Sequence, residues 1–199
     1  MKKYQDHYFK KAKQENYPAR SVYKLKEIQR QFGLFAPGQR VLDLGACPGS
    51  WSLFIAEKVG KSGRVVGADL NPPEIGFPPQ VTFIQGDVFD RPPELDSLLA
   101  EIGPFDGVVS DMAPKTTGIK MADQARSLDL VREAYAVAVT WLRPGGFFVA
   151  KVFEGPDVHG FTNEIRPLFG KLRAFKPKST RSESKETFLV GTGFKGGVQ

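Results

Sequence analysis

The stretch DLGACPGSW, residues 43–51, joins an apolar run to a helix-like one and carries two glycines, a proline and an aspartate. Such a turn brings bare backbone to a ligand, and its spacing excludes two common ones. A dinucleotide loop needs glycine where Cys47 stands, and a triphosphate loop needs Gly-Lys-Ser/Thr, which is absent. Four aspartates, Asp43, Asp69, Asp87 and Asp111, each close an apolar run. A carboxylate after the second such run suits a ribose diol, to which it offers paired acceptors. Asp87 suits the exocyclic amine of adenine, and Asp43 a cationic head. A diol, an aminopurine and a positive charge without phosphate describe S-adenosylmethionine. Any one of these acids could equally be a helix cap, but four in a row at strand ends weigh against that.

Lys151 sits within FFVAKVF, an otherwise apolar run. Alone it reads as an edge lysine reaching for water. Its place near a strand end, among carboxylates, makes it a candidate for chemistry instead. Lys115 and Lys120, after SDMAP, fall in a loop beside the same edge, where they could grip a phosphate backbone. Tyr23 and Phe153 could stack on a base or pack in the core.

These residues need elements to hold them, and the pattern supplies alternating strands and helices. Strands are expected at 40–45, 63–70, 81–87, 105–112, 147–153, 171–177 and 186–193. Helices are expected at about 20–32, 50–60, 93–103, 122–146 and 158–170, the long one stopped by Pro144 and two glycines. Alternation of this kind implies an α/β fold, a parallel sheet covered by helices on both faces. Only about eight residues separate the last two strands, too few for a parallel crossover, so that pair includes an antiparallel strand. The final GFKGGVQ is expected to fray.

At 199 residues the chain is read as one domain, 1–199, with a basic N-terminal extension over about 1–32. No stretch approaches the ~20 apolar residues of a membrane span. The N-terminus lacks a signal-peptide core, which implies a cytoplasmic protein with no membrane partner. A lone cysteine, Cys47, excludes an internal disulfide, and no metal site is expected. The net charge of +6 hides segregation: residues 1–30 hold nine Lys/Arg against three acids, 166–185 seven against one, and 31–165 eleven against seventeen. The first basic segment interleaves Tyr4, Tyr8, Phe9, Tyr17 and Tyr23. Cations mixed with aromatics suit phosphate contacts plus base stacking, which points to nucleic acid.

Five segments in order, ARSVYKL (19–25), LDLGACPGSW (42–51), SDMAP (110–114), KVFEG (151–155) and RSESKE (181–186), resemble the FtsJ-type RNA ribose 2′-O-methyltransferases. The resemblance runs from about residue 6 to 193. It implies a Rossmann-like methyltransferase fold with a seven-stranded, mostly parallel sheet and one antiparallel strand. It also implies S-adenosylmethionine bound by Gly49, Trp51, Asp69, Asp87 and Asp111, to which the turn adds Asp43 and Gly45. Lys24, Asp111, Lys151 and Glu186 match the family's catalytic Lys-Asp-Lys-Glu set, with Lys151 as base. The implied substrate is a uridine ribose of 23S large-subunit ribosomal RNA, within the large subunit or its precursor, with no obligate protein partner. Two departures are Ser50, where relatives usually have glycine, and Cys47, often alanine there. Both are small, and donor binding is expected to survive.

A ribose hydroxyl is a poor nucleophile, so the task is to align it in line with the methyl and help its proton leave. A neutral lysine could accept the proton, or an ammonium could orient the hydroxyl and stabilise developing charge. The charges of Lys24, Lys151, Asp111 and Glu186 cancel, which lets the cluster be semi-buried. Two other readings compete with this one: the same chemistry on tRNA or an mRNA cap, or a non-catalytic RNA-binding ribosome assembly factor.

Overall fold

The computed structural model describes residues 6–181 and 183–196. In chain order the elements are α1 (Asp6–Gln14), α2 (Val22–Phe32), β1 (Arg40–Leu44), α3 (Ser50–Val59), β2 (Arg64–Asp69), β3 (Val81–Gln85) and α4 (Pro93–Ile102). There follow β4 (Phe105–Ser110), α5 (Lys120–Trp141), β5 (Leu142–Phe153), α6 (Pro156–Ile165), a 3-10 turn (Arg166–Leu168), β6 (Phe169–Phe175) and β7 (Glu186–Phe194). The strands form one sheet in the order β3-β2-β1-β4-β5-β7-β6. All pairs are parallel except β5–β7 and β6–β7, so β7 is the antiparallel strand.

Side chains alternate across each strand, and that alternation sorts the core into two layers. Leu42, Leu44, Val66, Val108, Phe148 and Ala150 face α4, α5 and α6. Val41, Val65, Phe147, Val149 and Val190 face α2 and α3, with Ala12 of α1 in the same cluster. Both faces are covered, which is why the strands read as continuous apolar runs. No helix among the described residues is long and apolar enough to cross a membrane.

The sequence reading is corrected at four places. α1 was not expected: its nine residues are lysine-rich, and the helix is held by Ala12, 1% exposed against the core. α5 stops at Trp141, not 146, since Leu142 is already extended at ψ 135 and pairs with Phe105. Pro144 disfavours helix at the residue before it, so the break comes early. α6 ends at Ile165, not 170: Pro167 has no N–H to donate one turn back, and the chain tightens into the 3-10 turn. The expected frayed tail is also wrong for its described part. Phe194 is 2% exposed, its ring 5.4 Å from Phe169, and Lys195 N–H donates to Leu168 O at 2.9 Å. Residues 197–199 of that tail lie outside the described residues.

Candidate active site

Strand order reverses between β1 and β4, the place where open α/β sheets leave a crevice beyond the strand ends. The turn after β1 enters it through two glycines. Gly45 has φ +75, and a Cβ there would lie 2.2 Å from Met112 Cγ, just after β4. Gly49 has φ +111, and its Cβ would lie 2.9 Å from Ile75 and 3.0 Å from Phe77. Both positions therefore need glycine for conformation, and Gly45 for space against Met112 as well. Gly49 caps α3, whose first-turn N–H groups at Ser50, Trp51 and Ser52 have no intrahelical acceptor. Such a terminus suits an anionic group.

The aspartates take different positions around this turn. Asp43 lies under it, 1% exposed, accepting from Ser52 Oγ at 2.7 Å. Burial pushes its carboxyl up to about 7, with Asp111 and Asp69 adding to the rise and Ser52 opposing it. Asp69 is half-buried and holds the turn itself: it accepts from Cys47 N–H at 3.0 Å, Asn71 N–H at 2.8 Å and the Asn71 amide at 3.1 Å. A carboxylate has about four acceptor sites, so part of its capacity is left for a diol. Asp87 is half-buried beyond β3 and accepts from Phe89 N–H at 2.9 Å. Bare backbone at Gly45 and Gly49, with half-buried acceptors at the next two strand ends, could hold S-adenosylmethionine. Trp51 could contribute only main chain, because its indole is 3% exposed and donates to Ser21 O at 3.1 Å.

Lys24 from α2, Asp111 from the loop after β4, Lys151 from β5 and Glu186 from β7 come together. The Lys151 ammonium lies 2.9 Å from Asp111 Oδ1 and also donates to the Asp111 carbonyl. Lys24 is 4.0 Å from Asp111 Oδ1 and in close ion contact with Glu186. Register explains the meeting: Ser110 pairs with Ala150, and Lys151 with Phe188, two residues past Glu186. Side-chain exposures of 7% for Lys151 and 13–15% for the others leave the cluster open along one edge. Four alternating charges in so little water require this mutual pairing.

Sequence reasoning missed the ties that hold Lys24 in place. Ser50 Oγ accepts from Ala19 N–H at 2.7 Å and donates to Ala19 O at 3.2 Å. With the Trp51–Ser21 bond, the first turn of α3 is thus latched to the segment that starts α2. The signal was the hydroxyl of Ser50, a departure from the glycine that the family resemblance implies there. Lys120 opens α5 and, with Lys185 and Phe153, lines a cavity of about 180 Å³. The neighbouring Lys120 amine holds the Lys185 ammonium below its usual range. Phe153 remains available to a ligand, but Tyr23 is 5% exposed and packs 5.1 Å from Tyr8, so it belongs to the core. Lys115 is exposed in the loop after β4.

The family described as FtsJ-like methyltransferase matches residues 17–194. A relative from Oleidesulfovibrio alaskensis named "Ribosomal RNA large subunit methyltransferase E" is 63% identical over 98% of this chain and 95% of its own. One of the same name from Lawsonia intracellularis is 52% identical over 98% of each. Among solved structures, a Plasmodium falciparum protein described as a ribosomal RNA methyltransferase aligns with TM-score 0.79 and 27% identity, over 91% of this chain and 100% of that one. MycE methyltransferase, solved with Mg and SAH, aligns with TM-score 0.57 at 20% identity, over 89% of this chain and 49% of that one, a likeness of fold.

Proposed function

The chain belongs to the FtsJ-like methyltransferase family, and from that premise we propose that it methylates a ribose 2′-hydroxyl of large-subunit ribosomal RNA, at a uridine of the 23S molecule. The observation that supports this best is the convergence of two lysines and two carboxylates beside the glycine turn, with Lys151 2.9 Å from Asp111. S-adenosylmethionine supplies an electrophilic methyl carried on a sulfonium. Asp69 would hold its ribose diol, Asp87 its adenine amine, and the first-turn N–H groups of α3 its carboxylate.

Lys151 is the group that meets the RNA hydroxyl. Its ammonium lies 2.9 Å from Asp111 Oδ1 and donates a hydrogen bond to the Asp111 carbonyl. Toward the RNA hydroxyl it would act either through a lone pair that takes the proton or through an N–H that steers the oxygen. Lys24, held between Asp111 and Glu186, keeps both carboxylates oriented and balances their charge. Lys120 and Lys185 flank the approach to Phe153 and would take phosphates of the bound strand. Substrate is ribosomal RNA in the large subunit or its precursor, met in the cytoplasm, and residues 1–199 act as one domain with residues 1–32 as a basic extension. The names of the relatives favour this over tRNA or cap methylation.

Lys151→Ala should lower single-turnover methyl transfer to a 23S transcript by about 10²–10⁴-fold, the usual contribution of a positioned general base. S-adenosylmethionine affinity, measured by calorimetry, should hold. Lys151→Arg should not rescue, because guanidinium stays protonated and has a different shape. A transfer rate that rises with pH supports proton acceptance, and a flat profile supports steering. Near-normal transfer by the alanine variant refutes the role of Lys151.

A further inference from the structure

We infer that a groove along the outer side of α2, separate from the Lys-Asp-Lys-Glu cluster, docks RNA backbone lying outside the nucleotide that is methylated. This rests on the RNA reading above and adds a second contact surface to it. Two cavities of about 570 and 370 Å³ both border Lys26 and Arg30, and together they line the groove. Tyr8 and Tyr23 line one end and Phe54 the other. α2 builds it by spacing: Tyr23, Lys26, Glu27 and Arg30 recur at i, i+3, i+4 and i+7, one helix face. Lys24 is turned about 100° around the helix from Tyr23, toward the cluster. The loop before β7 brings in Lys178, because Glu27 accepts from Lys178 N–H at 2.7 Å and Ser179 N–H at 2.8 Å. Arg20 secures the same loop through Ser179 O at 2.7 Å.

The charges decide what the groove takes. Its carboxylates are already engaged: Glu15 pairs with Lys26 at 2.6 Å and Lys11 at 3.8 Å, Glu27 holds the loop, and Glu57 accepts from Tyr17 at 2.7 Å. Arg30, Lys58 and Lys178 are exposed and form no ion pair with a carboxylate among the described residues. Three unneutralised cations along one track match the spaced phosphates of a nucleic acid strand, with only the half-buried Tyr8 ring at one end. An acidic protein face would answer the same cations, but the proposed RNA substrate already supplies a phosphate strand that must continue past the methylated nucleotide.

The test is Arg30→Gln/Lys178→Gln in the full chain, titrated with a 23S ribosomal RNA transcript across a range of KCl. Losing two phosphate contacts should weaken binding about tenfold at low salt and flatten the log–log slope by about 1.4–1.8. The RNA concentration for half-maximal turnover should rise in step. S-adenosylmethionine affinity without RNA should hold, which also certifies that the variant is folded. Unchanged affinity and slope, with the parent protein binding RNA normally, overturn the groove and leave the proposed function standing. Loss of binding to an acidic protein with RNA binding intact overturns it too. A parent protein that does not bind the transcript overturns the RNA reading itself.

Discussion

At the scale of single residues, Asp43 is the group whose position has the clearest physical signature. It is buried beside Asp69 and Asp111, and burial raises its carboxyl to about 7 from the ordinary 3.8. Below about pH 4 it is protonated in folded and unfolded chains alike. As pH climbs toward 7 the unfolded chain releases this proton first, so folding loses stability through that window and no more above it. The loss is at most about 4 kcal/mol. Asp43→Asn should remove this component, so donor-free protein should lose less stability between pH 4 and pH 8 than the parent in denaturant titrations. Equal slopes for the two proteins would mean that Asp43 stays ionised in the fold. The aspartates themselves were legible from one chain, because strand-end position is written in hydropathy. That Asp43 lies under the turn, and that Asp69 holds Cys47 and Asn71, was not, since both facts depend on how the loop closes. Lys24 and Glu186 carry no local signal at all and were legible only through resemblance.

At the scale of elements, the latch between α3 and the start of α2 decides where Lys24 stands. Trp51→Phe keeps the ring contact with Phe188, 5.8 Å away, but removes the bond to Ser21 O. It should cost about 1 kcal/mol of stability. Because Lys24 follows Ser21 by less than one turn, methyl transfer should fall several-fold more than donor affinity does. A variant with parental transfer rate at reduced melting temperature would make the bond structural only. Hydropathy placed every strand and five of the helices, since a two-sided sheet needs apolar runs. It failed at Pro144 and Pro167, where the helix ends before the proline or tightens at it, and at α1, whose nine residues are stable only through what they pack against.

At the scale of the molecule, the two basic ends seen in the composition become neighbours. Glu27 and Arg20 near one end hold Lys178 and Ser179 near the other. Composition revealed the charge but not this meeting, which needs contacts across about 150 residues of sequence. The sheet is closed by β7, anchored at its far end by Phe194. Phe194→Ala should destabilise by about 3–5 kcal/mol, as for other large buried aromatics, seen as a lower denaturant midpoint. A change under about 1 kcal/mol would return that segment to the frayed tail the sequence suggested. β7 also inserts between β5 and β6, both of which precede it in the chain. During synthesis, therefore, β6 has no partner waiting beside it, and a slot must stay open until residues 186–194 emerge. Glu186 arrives with that strand, so until then Lys24 has only the longer contact with Asp111, 4.0 Å away, and lacks its closest carboxylate. An interrupted translation product that ends before residue 186 therefore cannot complete the charge cluster, whatever else of the fold has formed.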